Sequence, residues 1–245
     1  DGIWIAGLGQ EAIAGIGFIT PIFMILNGVS VGLGSGATSS ISRFIGAKNH
    51  EKASQSAAHS LLIFLVASIV LTIALLIIQE PLLKLYGASG ESLAQGIKYG
   101  TPLFLGLFAF IFANGASGIL RGEGDMKRAM YAVVVSVILN AILDPICIYI
   151  LGWGSAGAAI ATILSSVCSA VVILYWILVK KDTYVDVNLG EFKFDSSIAK
   201  DILKVGIPAS MDMLVMSIAM SLYMIFISSI AGEFGIASFT SGQRL

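Results

Sequence analysis

The sequence is poor in charged residues. Asp, Glu, Lys and Arg make up 12% of its 245 residues, whereas soluble domains carry about 25%. With 57% hydrophobic residues and a mean hydropathy of +0.92, the composition indicates a protein whose solvent is lipid. The formal net charge of −1 leaves no basic excess for a polyanion, so we expect no nucleic-acid partner.

Cysteine and histidine are also scarce, which limits the chemistry. Cys147 and Cys168 both lie in apolar segments, where we predict two small packing residues rather than a disulfide. Neither His50 nor His59 has another metal ligand at a suitable spacing, and no serine lies in a nucleophile-elbow motif. We therefore expect no zinc site, no cofactor and no enzymatic activity.

Long segments with little or no charge make up most of the chain instead. A membrane-spanning helix needs roughly 20 apolar residues, and only helices or closed barrels satisfy the backbone inside a bilayer. The segments predict six complete spans of an all-α, polytopic helix bundle, with two spans in the fourth segment: residues 12–42, 53–79, 99–120, 129–143 with 145–179, and 213–232.

Basic residues cluster in alternate connections between the predicted spans. Those after the first, third and fifth spans hold nearly all of them: Arg43, Lys48, Lys52, Arg121, Lys127, Arg128, Lys180, Lys181, Lys193, Lys200 and Lys204. The positive-inside rule places these connections in the cytoplasm. We expect a multi-pass protein of the plasma membrane.

The ends of the chain look like cuts through a longer protein. The sequence opens with Asp1-Gly2-Ile3-Trp4 rather than Met, and residues 230–237 resemble residues 5–14. This predicts a duplicated transporter about twice as long. Residues 1–180 would form the first lobe, residues 181–200 a cytoplasmic linker and residues 201–245 the start of a second lobe. We expect Ser196 or Ser197 to cap a helix that leads into a kink at Pro208.

Small residues recur at helical spacing in two places. Gly28, Gly32, Gly36 and Ser40 form one stripe, and a second runs Gly157, Ala161, Ser165, Ser169. Both are typical of close helix packing in membranes. The alternative, a phosphate-binding loop at residues 32–36, lacks the preceding strand and the following lysine.

Asp144 is the most informative residue, because it interrupts a long charge-free region. An acid inside a membrane usually handles ions, protons or substrates. Asn140 precedes it by four residues and shares its helix face, and Pro145 would free the carbonyl of Ala141. These oxygens, with Thr162 of the next span, suit a hard cation or a proton. The alternative for Thr162 is a hydrogen bond to the carbonyl four residues earlier in its own helix. The alternative is structural: Asp144 caps a helix restart at Pro145, with Asn140 as its partner.

Other polar and flexible side chains are candidates for a substrate cavity. Asn114 and Ser117 lie one turn apart, and Met213, Met216 and Met220 continue to Met224 as a stripe of polarisable side chains. The alternative for both sets is ordinary helix packing. Asp212, close to the cytoplasmic end of its span, is expected at the water interface.

Several motifs resemble the amino-terminal half of multidrug and toxic compound extrusion (MATE) transporters, most closely the archaeal and DinF-like branch. The resemblance covers essentially the whole chain. It rests on Asp1-Gly2-Ile3-Trp4 with Ala6-Gly7-Leu8-Gly9, Ser42-Arg43 with Gly46-Ala47, Gly118-Ile119-Leu120-Arg121-Gly122-Glu123-Gly124-Asp125, Leu139-Asn140 with Leu143-Asp144-Pro145, and Asp182-Thr183-Tyr184-Val185-Asp186.

The resemblance implies a twelve-helix protein of two six-helix lobes, of which this chain would hold the end of helix 1 through the start of helix 8. It implies alternating-access export of amphipathic, often cationic compounds in exchange for sodium ions or protons, without a cofactor, and we expect a monomer in contact with membrane lipids. The implied cation site matches Asp1, Asn140, Asp144 and Thr162. Ser117 departs from the family pattern, in which an Asn is expected.

Two other functions fit a polytopic chain. A lipid-linked precursor flippase of the same superfamily would need a more cationic cavity, and intramembrane Lys and Arg are scarce here. A membrane scaffold would use Asp144 only structurally, so replacing Asp144 by Asn would leave a scaffold intact and disable a coupled antiporter.

Overall fold

The computed structural model describes residues 2–180, 183–187 and 192–242. These residues form helices and their connections, and no strand occurs among them. The helices, in order, are α1 Gly2–Ile5 with a 3-10 turn Ala6–Leu8, α2 Gln10–Gly46, α3 His50–Leu85, α4 Gly90–Leu105, α5 Leu107–Gly122, α6 Met126–Pro145 with a π turn Ile146–Ile150, α7 Gly154–Leu174 with a π turn Tyr175–Lys180, and α8 Ser196–Gly242.

The spans expected from the sequence are confirmed. Five helical segments are long and apolar enough to cross a membrane: Glu11–Gly46, His50–Leu85, Met126–Ile150, Gly154–Lys180 and Ser196–Gly232. Together, α4 and α5 are long and apolar enough for one further span, although they are bent by 53° at their junction. The described chain is therefore an all-α, polytopic bundle with five continuous apolar spans and this bent pair.

Short connections with local caps join the helices. The Asn49 side chain accepts the Lys52 N–H at 3.0 Å and starts α3, and Asp125 does the same for Arg128 at the start of α6. Gly124 adopts a φ of 91°, which few other residues tolerate. These connections therefore place α3 beside α2 and α6 beside α5.

Helix α2 lies between α8 and α5 and contacts them with opposite faces. A Cβ at Gly32 would lie 2.0 Å from Ser210 Oγ of α8, and one at Gly36 would lie 2.3 Å from the Ile202 carbonyl. On the other side, a Cβ at Gly118 of α5 would lie 2.3 Å from the Gly34 carbonyl. Residues two apart on a helix point about 200° away from each other. The predicted packing role of the α2 glycines is confirmed.

The second small-residue stripe packs α7 against α6. A Cβ at Gly157 would lie 2.5 Å from the Cys147 carbonyl, and Ser169 Oγ donates to the Ala132 carbonyl at 3.1 Å. Cys147 and Cys168 are both free thiols, as expected from their apolar surroundings. Small side chains thus bring the α6 and α7 backbones close together.

The structure corrects two expectations about the last helix. Helix α8 keeps helical dihedrals through Pro208, and the kink lies instead at Gly232, whose φ of 57° and ψ of −151° divide α8 into two helical parts. The cap is Asp195, whose carboxylate accepts the Ser197 N–H at 2.8 Å, rather than Ser196 or Ser197. Pro208 lies in the fourth turn, where proline supplies no N–H for the Lys204 carbonyl.

The bend between α4 and α5 was not expected from the sequence, which predicts one span over residues 99–120. Gly106 ends α4, and its N–H donates to the Pro102 carbonyl at 2.9 Å. A Cβ at Gly106 would lie 2.3 Å from Ile163 Cγ1 of α7. The bend therefore makes room for the helix that carries Thr162.

Candidate cation site

Asp144 lies in the last turn of α6 and has no solvent-exposed surface. Asn140, one turn earlier on the same face, donates through Nδ2 to Asp144 Oδ1 at 3.4 Å. The i,i+4 pairing predicted from the spacing is thus present. It places an amide directly against a buried carboxylate.

Helix α7 adds a hydroxyl group to this pair. Asn140 Nδ2 also lies 3.4 Å from Thr162 Oγ1, and that hydroxyl donates to the Ala158 carbonyl of its own helix at 3.1 Å. Because its single hydrogen is directed to Ala158, Thr162 accepts from Asn140. Asn140 therefore bridges the Asp144 carboxylate and the Thr162 hydroxyl, and three of the predicted site residues lie together.

The close fit of α7 holds Thr162 in place. Ile163, the next residue, fills the bend at Gly106, while the Ser165 and Ser166 hydroxyls both donate to the Thr162 carbonyl, at 2.9 and 2.8 Å. The α7 backbone around Thr162 is therefore held by the packing of Ile163 and by hydrogen bonds within its own helix.

Pro145 does not interrupt α6. Its φ and ψ are −64° and −30°, those of Ile146 are −66° and −52°, and the helix continues into the wider π turn. There is no helix restart for Asp144 to cap, whereas the Asn140 contact that the structural alternative expects is present. Proline has no N–H for the Ala141 carbonyl, and a π turn of this kind often marks a functional site.

The π turn also contacts the beginning of the described chain. The Tyr149 hydroxyl donates to the Trp4 carbonyl, and the two rings pack edge to face with centroids 6.4 Å apart. A Cβ at Gly7 would lie 2.3 Å from the Tyr149 oxygen. The helix that follows Asp1 is thus attached to the turn that follows Asp144, while Asp1 itself lies outside the described residues.

Sequence reasoning did not identify Tyr149. A single aromatic residue in an apolar span has no pattern of its own. The usable signal was Gly7 in the opening motif, because a glycine in a helical segment often marks a close approach by another group.

The arrangement suits a small hard cation or a proton. Sodium prefers oxygen ligands, and a carboxylate, a hydroxyl and an amide oxygen are such ligands. A half-turn of the Asn140 amide exchanges its nitrogen and oxygen at the same positions, so the same side chain can donate to the carboxylate or face a cation. Within the described part of the chain, no group of three or more His, Cys, Asp or Glu side chains could hold a metal ion.

The candidate cavity residues lie on two different helices. Asn114 is half-buried and donates to the Phe110 carbonyl of its own helix at 2.9 Å, and Ser117 is buried. Both belong to α5, on one side of α2. The methionines belong to α8, on the other side of α2.

The methionine stripe is not uniform. Met213 is 37% exposed and Met216 is 62% exposed, whereas Met220 and Met224 are buried in the bundle. Asp212 is exposed, beside Met213. A role for Asn114, Ser117, Met213, Met216 and Met220 in substrate binding stays a prediction.

Comparisons with known proteins give a consistent picture. The MatE family profile matches residues 1–146. The multidrug export protein MepA of Staphylococcus aureus (strain NCTC 8325 / PS 47) is 30% identical over 236 residues, which cover 96% of this chain and 52% of MepA. The chain thus spans about half the length of the curated relatives it matches.

Solved structures resemble the chain over its whole length. A multidrug resistance MATE family transporter of the MOP superfamily, in an inward-facing conformation, is 46% identical with a TM-score of 0.96, covering 100% of this chain and 56% of that one. An outward-facing structure of such a transporter is 45% identical with a TM-score of 0.87, covering 100% and 54%.

Proposed function

Since this chain belongs to the MATE family, whose members are transporters and not enzymes, we propose that it forms the amino-terminal part of a secondary active multidrug efflux antiporter. The substrates are amphipathic, often cationic small molecules. The coupling ion is sodium or a proton, and no cofactor takes part.

The observation that carries this proposal is the buried cluster of Asn140, Asp144 and Thr162. A carboxylate in the middle of a membrane helix costs roughly 2.5–3.5 kcal/mol on insertion scales, and Asp144 is fully buried in its span. A cation or proton bound between these side chains offsets that cost. Asp1, which directly precedes α1 in the sequence, completes the proposed site.

Ion binding drives transport by shifting a conformational equilibrium. A cation or proton that binds from outside favours one of two states, outward-open or inward-open, only if its affinity for the two states differs. One elementary charge crossing about 100 mV releases about 2.3 kcal/mol, which sustains roughly a tens-fold substrate gradient. This electrical contribution is available when the exported compound is neutral. A one-for-one exchange of the ion for a monovalent cation moves no net charge and depends on the chemical gradient of the ion.

The remaining architecture follows from the same proposal. Residues 1–180 form the first lobe, residues 181–200 the linker and residues 201–245 the start of the second lobe, in a monomeric protein surrounded by plasma-membrane lipids. The basic connections and the linker face the cytoplasm. Asn114, Ser117, Met213, Met216 and Met220 contribute to substrate contacts on the two sides of α2.

The test is uptake of a fluorescent cationic dye by proteoliposomes that contain the full-length transporter. An imposed sodium or pH gradient should drive accumulation of the dye, and the effective gradient names the coupling ion. Absence of dye movement under both gradients contradicts drug export. A lipid-linked substrate is less well supported, because the relative named above is a multidrug export protein.

A further inference from the structure

The described parts of the linker lie against the bundle. We call residues 183–187 and 192–195 together the strap. They contact the first turns of α3 and the connection between α5 and α6. Val185 has no exposed surface and Val187 is 3% exposed, so these two side chains of the strap are packed in the protein core.

The first piece of the strap is held by backbone hydrogen bonds. The Val185 N–H donates to Glu123 Oε2 at 3.2 Å, and the Asp186 N–H donates to Ser54 Oγ at 3.0 Å. His50 Nε2 lies 2.6 Å from the Tyr184 carbonyl. The side chains of Glu123, Ser54 and His50 therefore hold residues 183–187 of the strap.

The second piece is held by His59. His59 is only 1% exposed, and its Nε2 accepts a hydrogen bond from the Asp195 N–H at 2.7 Å. Its other nitrogen, Nδ1, lies 2.7 Å from the Gln55 carbonyl. The Phe192 and Phe194 rings pack on the imidazole, with centroids 4.8 and 5.6 Å from it.

These contacts fix the protonation state of His59. A carbonyl only accepts, so Nδ1 must carry the hydrogen, and an amide N–H only donates, so Nε2 must offer its lone pair. Only the neutral imidazole satisfies both. A second proton at Nε2 would place two N–H groups against each other and leave a buried donor unsatisfied.

His50 provides the opposite case on the same helix. Its Nε2 faces the Tyr184 carbonyl, so it donates, and the protonated imidazole keeps that hydrogen bond. His50 is also exposed. The same residue type thus tolerates protonation at one end of the strap and not at the other.

We propose that His59 is a proton-sensitive contact. The neutral imidazole binds residues 192–195 of the strap, and the protonated imidazole releases them. The elements around His59 carry other ionisable groups: Glu51 and Lys52 on α3, Lys193 and Asp195 in the strap, and Lys200 on α8. The Asp195 carboxylate caps α8 through Ser197. Glu123, Asp125 and Arg128 lie at the other piece of the strap.

This contact can affect the position of α8, because the strap directly precedes that helix. While Asp195 is bound to His59, the first turn of α8 is tied to α3. Release lengthens the free connection between α7 and α8. Its effect on the motion of the two lobes rests on the proposed function, whereas the docking itself does not.

The test measures docking without transport. Spin labels at Lys52→Cys on α3 and Lys193→Cys in the strap, both exposed positions, report their separation in the full-length protein, with Cys147 and Cys168 replaced by serine. At about pH 8 we expect one short, narrow distance, and at about pH 5 a longer and broader distribution, because a second proton on the imidazole would displace the Asp195 N–H.

Two variants complete the test. His59→Gln, whose amide oxygen can accept the Asp195 N–H, should stay docked at both pH values, and His50→Gln should keep the wild-type response. A wild-type distance that does not change with pH overturns the proposal, and so does a full response in His59→Gln or its loss in His50→Gln. If the strap of His59→Gln is undocked at both pH values, the proposal is judged on the wild type and His50→Gln, whose label distances must both lengthen at the lower pH. Failure of dye transport would leave this result unaffected.

Discussion

At the residue scale, Asn140 connects the candidate cation site. Its amide lies 3.4 Å from both the Asp144 carboxylate and the Thr162 hydroxyl, so it relates α6 to α7 at the depth of the buried acid. Long contacts of this kind are weak by themselves. They leave room for an ion to replace the amide hydrogens.

Thr162 should contribute through its hydroxyl group. We expect Thr162→Ala to weaken the apparent affinity for the coupling ion by roughly 3- to 10-fold, equivalent to one hydrogen-bond-sized interaction of about 0.5–1.5 kcal/mol. Thr162→Ser should stay close to wild type. The measurement is the ion concentration that half-saturates dye transport, and equal losses in both variants would show that the methyl group matters instead.

Glu123 should make stability depend on pH. Burial raises the pKa of this carboxyl above its ordinary 4.5, with a smaller rise from Asp125, although the Val185 and Tyr184 N–H groups and Arg128 lower it. The raised pKa means that the folded protein favours the protonated acid, so this contribution is present below pH 4.5 and is lost as the pH rises through the raised pKa.

The variant Glu123→Gln, which is neutral at every pH, tests this direction of the pH dependence of stability. Glu123→Gln keeps an oxygen for the Val185 N–H and removes the buried charge, so we expect its melting temperature near neutral pH to be equal to or about 2–4 °C above that of the wild type. The gain should shrink as the pH falls towards 4.5. A gain that grows on acidification would contradict this account.

At the element scale, α2 is the helix on which the others are arranged. Gly32 and Gly36 meet α8, Gly34 meets Gly118 of α5, and Thr38 Oγ1 donates to the Gly118 carbonyl at 2.7 Å. The glycine spacing predicted one packing face from the sequence. The second face was hidden, because a single Gly34 shows no periodicity.

Helix bends were harder to predict than helices. Pro208 predicts a kink, yet α8 keeps helical dihedrals there, while α4 and α5 part at Gly106, where Ile163 of α7 enters. Both outcomes depend on neighbouring helices, which a single sequence does not specify. The spacing of Asn140 and Asp144 is local, so it could be predicted, whereas the contact between Asn140 and Thr162 depended on that same bend.

The α2–α5 contact can be tested with matched glycine substitutions. In Gly118→Ala the added Cβ would lie 2.3 Å from the Gly34 carbonyl, and such overpacking costs about 1–3 kcal/mol. Each 1 kcal/mol lowers the melting temperature by about 2–4 °C for a chain of this size. The control is Gly46→Ala, where no atom lies within 4 Å, and a melting temperature that falls equally in both variants would contradict the packing argument.

At the scale of the whole molecule, the two ends of the helix bundle differ in charge and in contacts. The end with the linker holds the α2–α8 ion pair between Arg43 and Asp201, together with the strap. The other end holds the connection at Leu151, between α6 and α7. This asymmetry predicts that the end with the linker faces the cytoplasm.

Orientation can be read from thiol labelling in intact cells. We expect Leu151→Cys, which replaces a residue 48% exposed, to react with a membrane-impermeant maleimide from outside. Lys193→Cys should react only after permeabilisation, because the basic end faces the cytoplasm. Labelling in the reverse order would contradict the proposed topology.

The central claim is that the buried acid of α6 couples an ion gradient to export. The most direct measurement is gradient-driven dye accumulation in proteoliposomes by the full-length transporter carrying Asp144→Asn, beside the wild type and Asp212→Asn as a control at an exposed acid. We predict that Asp144→Asn loses accumulation to the level of empty liposomes while Asp212→Asn retains most of it. Accumulation that persists in Asp144→Asn would show that this carboxylate is not the coupling site.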